Sequence, residues 1–197
     1  MEEKLLEVRH LKKYFHTPAG LLHAVDDVDF SIPKGKTLGV VGESGCGKST
    51  LGRSLLCLEP PTAGEILFEG KNIAALSKRE MKKVRPKIQM VFQDPYSSLN
   101  GRMTVRQLIA EPLLVNKICK NRAEVDQKVD EMMETVGLAK RLDMAYPHEL
   151  DGGRRQRVGI ARALALNPEF IVCDEPVSAL DVSIQAQVLN LLMDLQD

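Results

Sequence analysis

The sequence predicts an α/β fold in which short strands lead into a glycine-rich loop, a helical lobe is inserted, and the chain then returns to the core. Three observations predict it. The first third reads as short strands, "LLEVRHLKKYF", "HAVDDVDFSI", "KTLGVVG" and "GEILFEG", parted by the turn signals "PKG" and "PTAG". From about Thr104 to Arg141 the pattern turns helical. After "NPE", the apolar run "FIVCDEP" is again a buried strand.

Taken in order, "TLGVVG" is a continuous apolar run, as expected of a strand covered on both faces of a parallel sheet. "SKREMKKVRPK", Ser77–Lys87, reads as a solvated helix or loop rather than a binding patch. "IQMVFQ" is a further strand. In "AEVDQKVDEMMETVGL", Val125, Val129, Met132, Met133 and Val136 recur at helical spacing, so these methionines belong to a core and not to a ligand set. In "VSIQAQVLNLLMDLQD", Ile184, Val188, Leu191, Leu192 and Leu195 fall along one helix face.

Bulk properties narrow the function. The 197 residues suit one domain, or one domain with an inserted lobe. Lys+Arg and Asp+Glu each number 27, and this balance argues against a protein that holds nucleic acid through its phosphates. Cys46, Cys57, Cys119 and Cys173 form no C-x-x-C pair, which points to a reduced, cytoplasmic setting. His10, His16, His23 and His148 show no ligand spacing and are expected to be structural or surface residues. "MEEKLLEVRH" is not a signal peptide, and no apolar run approaches the ~18 residues that would span a bilayer, so any membrane role is expected to come through a partner.

"GESGCGKST" fits G-x-x-x-x-G-K-[ST] at Gly42–Ser49, between an apolar strand and the helical "TLGRSLLCL". The motif and its neighbours Gly42, Glu43, Ser44, Gly45, Cys46, Gly47, Lys48, Ser49 and Thr50 are expected to wrap a phosphate at a helix N-terminus. Lys48 would reach the β- and γ-phosphates, and the Ser49 hydroxyl would ligate Mg²⁺. "FIVCDEP" supplies the acidic half. Asp174 is placed to orient Mg²⁺, and Glu175 to polarise an attacking water.

"ELDGGRRQRVGIARALA", residues 149–165, sets Asp151 against two glycines and follows with Arg154, Arg155, Arg157 and Arg162. The residues alone leave two readings open: a basic patch, or a helix N-terminus that holds a phosphate.

"GESGCGKST", "VFQDPYSSLN", "ELDGGRRQRVGIARAL" and "FIVCDEPVSALD" occur in the order of the ATP-binding cassette (ABC) ATPases, and the resemblance runs the whole length of the chain. "HAVDDVDFSIPKGKTLGVVGESGCGKST", "QDPYSSLNGRMTV" and "PVSALDVSIQAQVLNLL" resemble the ATPase subunits of oligopeptide and dipeptide importers, most of all the second of the two paralogous ATPases. The resemblance implies a P-loop NTPase of ABC type: a RecA-like core with an N-terminal antiparallel β subdomain and an inserted helical subdomain. The implied division is residues 1–92 for the β subdomain and P-loop core, 93–162 for the Q-loop and helical subdomain with the signature, and 163–197 for the Walker B segment, D-loop and following helix.

It implies site roles as well. Tyr14 matches the aromatic that stacks on adenine, with Phe15 the adjacent alternative, and Gln93 matches the Q-loop glutamine, a Mg²⁺ and water contact. Ser178–Asp181 match the D-loop, with Asp181 near the nucleotide. "DPYSSLN" matches the segment on which a membrane subunit presses. Leu150–Arg154 stand where the family has Leu-Ser-Gly-Gly-Gln, a motif that faces the γ-phosphate held by the opposite subunit. Asp151, Gly152, Gly153 and Arg154 are then nucleotide contacts in trans, and Arg155, Arg157 and Arg162 are scaffold or surface residues. Asp151 replaces the family serine and Arg154 the glutamine. Aspartate caps a helix about as well as serine does, but a carboxylate beside a γ-phosphate is unfavourable, and Arg154 can offset part of that cost. Gly101 stands where the family usually has proline.

The implied function is an ATP-binding and ATP-hydrolysing subunit that energises an importer for peptides or similar solutes. Its cofactors would be ATP and Mg²⁺. Its partners would be a second ABC ATPase subunit, two transmembrane permease subunits and an extracytoplasmic solute-binding protein, with no nucleic acid, at the cytoplasmic face of the membrane. A non-hydrolysing ATP-dependent dimerisation module and a nucleic-acid-associated ABC ATPase are the alternatives. The family's switch-loop histidine falls beyond Asp197, so a C-terminally truncated, weakly active chain is expected.

Overall fold

The computed structural model describes residues 3–94, 98–178, 180 and 182–194. The chain forms two compact units, Met1–Arg85 and Pro86–Asp197.

The first unit is built on an antiparallel sheet of order β2-β1-β3-β4. β1 (Lys4–Thr17) and β2 (Gly20–Pro33) form a long hairpin; β3 (Ala63–Phe68) pairs with the other edge of β1, and β4 (Lys71–Asn72) with β3. Leu6, Val8, Leu11, Ile66, Phe68 and Ile73 are buried in its core. The hairpin register is broken near His10 and Asp27, both with positive φ (48° and 53°), so β1 and β2 bulge and twist there. His10, Asp27 and Asp29 meet at this place, all exposed, with Lys12 Nζ 3.5 Å from Asp27. α1 (Lys48–Leu55) follows the glycine-rich loop. α2 (Lys78–Val84) opens with a capping box between Ser77 and Glu80 and buries no residue, which is the solvated helix the sequence predicts.

One expectation fails here. "TLGVVG" was expected to be a buried strand, yet residues 36–43 carry no strand, and no ladder among the described residues includes them. Leu38 and Val40 are about half exposed and Val41 is 96% exposed. An apolar run fixes only that a segment is compatible with β structure and burial. The strand itself exists through hydrogen bonds to neighbours on each edge, and no described ladder supplies them.

In the second unit, β5 (Ile88–Val91) pairs in parallel with β6 (Phe170–Cys173), from Ile88↔Phe170 to Val91↔Cys173. β6 is part-buried rather than enclosed, because a two-stranded sheet covers less of its faces than the multi-stranded one the apolar run suggests. Among the described residues, four α-helices pack around one core: α3 (Val105–Val115), α4 (Arg122–Thr135), α5 (Gly152–Leu164) and α6 (Val182–Asp194). Val125, Val129, Met133 and Val136 are buried in it and Met132 packs against it, so the methionines are core, as predicted. On α6, Val188 is fully buried with Ile184, Leu191 and Leu192 packed against the core; Leu195 lies outside the described residues.

Arg106 on α3 ties the lobe together. It reaches Asp126 at 3.2 Å, Asp143 at 3.3 Å and Asp130. Its hydrogen bond, followed by that of Lys140, holds the Asp130 carboxyl below the usual carboxylate range. This contribution to stability is present above the unfolded carboxylate pKa of about 3.9 and is lost as pH falls through the lower, folded value.

Candidate phosphate, acid and signature motifs

The glycine loop turns tightly into α1. Cys46 N–H donates to the Glu43 carbonyl at 3.3 Å, closing a tight turn through Ser44 and Gly45. Gly47 caps α1 with φ 99°, has no side chain to bond the helix amides, and is followed by a first turn without an acidic residue. The amides that open α1, where Lys48, Ser49 and Thr50 stand, therefore keep the polarity that attracts phosphate. Lys48 Nζ lies back over the loop, donating to the carbonyls of Gly42 (2.9 Å) and Glu43 (2.8 Å). That places the cation at the loop mouth.

Gly47 is required twice over. A Cβ there would lie 2.1 Å from the Ala24 carbonyl oxygen, and its φ is one that L side chains rarely adopt. Gly47→Ala is expected to destabilise the first unit by roughly 2 kcal/mol or more. Denaturant titration checks this, and an unchanged midpoint would mean the loop adopts another path.

The acids follow β6. Asp174 N–H donates to the Val91 carbonyl at 3.0 Å, extending the ladder, and its side chain is buried at 6% exposure. Glu175 is exposed, with φ 43°. The two acids thus face different surroundings, as successive residues at a strand end do. Gln93 Nε2 donates to Glu175 Oε2 at 2.9 Å, with Ser178 Oγ at 3.4 Å. The register explains this contact between residues 82 positions apart: Val91 lies beside Cys173, so the two chain exits lie side by side. Buried Gln156 on α5 supports the exit of β5 through the Phe92 carbonyl at 3.4 Å.

At the signature-like stretch, Asp151 caps α5. Its Oδ1 accepts the Arg154 N–H at 2.7 Å, and its Oδ2 lies 3.4 Å from Arg154 Nε. The expected cap is present, and the two side chains, both about half exposed, pair with each other. Gly152 and Gly153 serve packing: a Cβ on Gly153 would meet Ile184 Cγ2 at 2.6 Å, and one on Gly152 would meet Leu180 Cδ2 at 3.3 Å. The later arginines brace the lobe. Arg157 bonds the Val136 carbonyl and Gln187, and Arg162 the Ser98 carbonyl at 2.8 Å. Burial lowers the Arg162 pKa. Arg157 and Arg162 are thus tied into the lobe, which leaves no continuous basic patch along the helix.

Tyr14 sits on β1. Its ring stacks on His23 of β2, and its hydroxyl donates to Asp26. Phe15 points elsewhere, under Lys13 Nζ at 4.7 Å. His23 and Asp26 were not foreseen, and their only signal is the hairpin register, which a sequence does not print. Asp181 lies outside the described residues, as do residues 95–97 of "DPYSSLN". Among the described residues, no helix is long and apolar enough to cross a membrane.

A family model described as ABC transporter matches residues 25–178. The chain is 58% identical over its full length to the oligopeptide transport ATP-binding protein OppF of Bacillus subtilis, spanning 65% of that relative. It is 54% identical to AppF of the same organism, spanning 62% of it, and 52% identical over 99% of the chain to OppF of Haemophilus influenzae, spanning 61% of it. The chain therefore spans less than two thirds of the length of these curated relatives. Among solved structures, it superposes with a TM-score of 0.88 and 30% identity on an ATP-binding cassette solved as a dimer in a post-hydrolysis state bound to ADP and Pi, covering 98% of this chain and 83% of that one.

Proposed function

The chain belongs to the ABC transporter family, with the fold of its P-loop ATPases, and from that premise we propose that it is the ATP-binding, ATP-hydrolysing subunit energising an importer for peptides or similar solutes. The observation that carries the hydrolytic part is the 2.9 Å contact between Gln93 and Glu175 at the exits of the parallel strands. A carboxylate held there by an amide is suited to orient a water for in-line attack on a phosphoryl group. The lysine-bearing loop at the opening of α1 supports the phosphate-binding part. Support for peptide import comes from the relatives named for oligopeptide transport.

The residues assigned to Mg²⁺ are a serine hydroxyl (Ser49), an amide oxygen (Gln93) and a carboxylate (Asp174), a hard-oxygen set that fits this ion. The near-complete burial of Asp174 suits a group that serves a cation. When bound, Mg²⁺ would supply neutralisation of phosphate charge. The chain's own groups do the rest: Lys48 and the α1 amides hold the phosphates, and Glu175 accepts a proton from the attacking water.

The reading includes a second cassette subunit, two permease subunits, an extracytoplasmic binding protein and a place at the cytoplasmic face of the membrane. It also retains the division at residues 1–92, 93–162 and 163–197. Asp151 and Arg154 would act on the nucleotide of the partner cassette, where their mutual ion pair leaves little net charge facing the phosphate.

The test is uptake of a labelled oligopeptide by vesicles carrying the complete protein with its permease and cassette partners and supplied with the extracytoplasmic binding protein. ATP inside the vesicles' cytoplasm-equivalent side should drive uptake. A complex that hydrolyses ATP yet carries no peptide would overturn the importer reading.

A further inference from the structure

Tyr14 and His23 are direct cross-strand partners on the β1–β2 hairpin, and their rings stack with centroids 3.9 Å apart and 19° between planes. Asp26 serves both rings. One oxygen accepts from the Tyr14 hydroxyl, and the other lies 3.4 Å from His23 Nδ1. The hydrogen bond pushes the Tyr14 pKa up to about 12 and holds Asp26 below its usual range. The Tyr14 backbone is also pinned, its N–H donating to Thr62 Oγ1 at 2.9 Å. The His23 and Asp26 side chains remain about half exposed, at 49% and 51%. The result is a stacked pair of rings whose polar ends are already satisfied and whose position is fixed, out at the surface.

The next residue along β2 is Ala24, whose carbonyl is the atom a Cβ on Gly47 would strike. His23 of the stack and Ala24, against which Gly47 of the phosphate loop packs, are therefore consecutive residues of one strand. A nucleotide has the same layout, a π system joined to phosphates. Phe15 does not compete for the role, since its ring is engaged by Lys13, itself tied to Glu59 and the Pro60 carbonyl.

We propose that Asp26 and His23 are positioning residues that lock the Tyr14 ring as the platform for the base of the bound nucleotide, and that they set base affinity without acting on the phosphates. The inference rests on the ATP-binding reading above. Its physical basis is preorganisation. A free tyrosine side chain loses rotamer freedom when a base stacks on it, whereas a ring already clamped by Asp26 and backed by His23 has lost that freedom on folding.

The test is equilibrium titration of the complete protein with ATP and, separately, with tripolyphosphate, which carries the anion and no base. Tyr14→Ala is expected to weaken ATP binding about tenfold, and His23→Ala and Asp26→Ala about threefold to tenfold, with tripolyphosphate affinity unchanged in all three. His23→Phe keeps the stack and is expected to restore ATP affinity to within about twofold of the original. The proposal is overturned if His23→Ala and Asp26→Ala bind ATP like the parent chain. It is equally overturned if they lose tripolyphosphate in step with ATP, because the hairpin then matters only for the shape of the loop. Lys48→Ala reports separately: undiminished ATP binding in that variant would sink the nucleotide reading itself, whatever the hairpin variants do.

Discussion

Lys48→Ala is expected to weaken ATP binding by at least about a hundredfold, or about 2.7 kcal/mol. Nothing else in the loop can replace the lysine. Among Gly42–Thr50 it is the only cationic side chain, and Glu43 is anionic. The chain as a whole has no net charge, so no general field draws the anion in. Lys48 Nζ now sits on the carbonyls of Gly42 and Glu43 at 2.9 and 2.8 Å. Without it, two carbonyl oxygens would face the incoming phosphate with no proton between, and a charge-assisted hydrogen bond of about 1.5–3 kcal/mol would be lost as well. Titration with a fluorescent ATP analogue measures the effect, and Lys48→Arg should lose less, since it keeps the charge while changing its shape. Undiminished affinity in Lys48→Ala would show that the glycine loop is not the phosphate site.

Local patterns proved legible where the chain itself carries the cause. The hairpin strands carry spaced apolar residues, of which Leu6, Val8, Leu11, Val25 and Ile32 are buried, and β2 ends at the turn signal "PKG". The α4 face is set by the spacing of Val125, Val129 and Met133, and the opening of α1 by the glycine motif. Asp151 was readable as a cap because capping involves only a side chain and an amide three residues on. Pro112 sits inside α3 without ending it, an outcome set by packing, since Leu108, Ile109 and Leu113 around it are buried in the lobe. What the sequence concealed depends on partners far along the chain. "TLGVVG" has the composition of a buried strand, but a strand is made by its neighbours. Tyr14 could be singled out by its place in a motif, whereas its locks depend on a register with several shifts, which no local pattern encodes. The Gln93–Glu175 contact is intermediate. Each residue was picked from its own motif, and only the Val91↔Cys173 register shows why they meet.

Glu175→Gln is expected to leave ATP affinity within about twofold while lowering turnover in the assembled transporter by about 10²–10⁴, the range that positioned acid–base groups contribute. The substitution keeps the size of the side chain and an oxygen that can still accept from Gln93 Nε2, so the geometry at the exits of β5 and β6 should survive. The amide cannot take a proton from water, so the loss should fall on the chemical step and not on binding. Glu175→Ala separates the two contributions: it removes the proton acceptor together with the Gln93 contact, while the Ser178 N–H and Oγ keep the Glu175 backbone carbonyl at 3.2 and 3.1 Å, so the turn after β6 should persist. Single-turnover hydrolysis of prebound ATP isolates the step from binding and product release. Turnover by Glu175→Gln at a rate near that of the parent protein would show that another group activates the water, and would leave the Gln93–Glu175 contact as a structural brace at the ends of two strands.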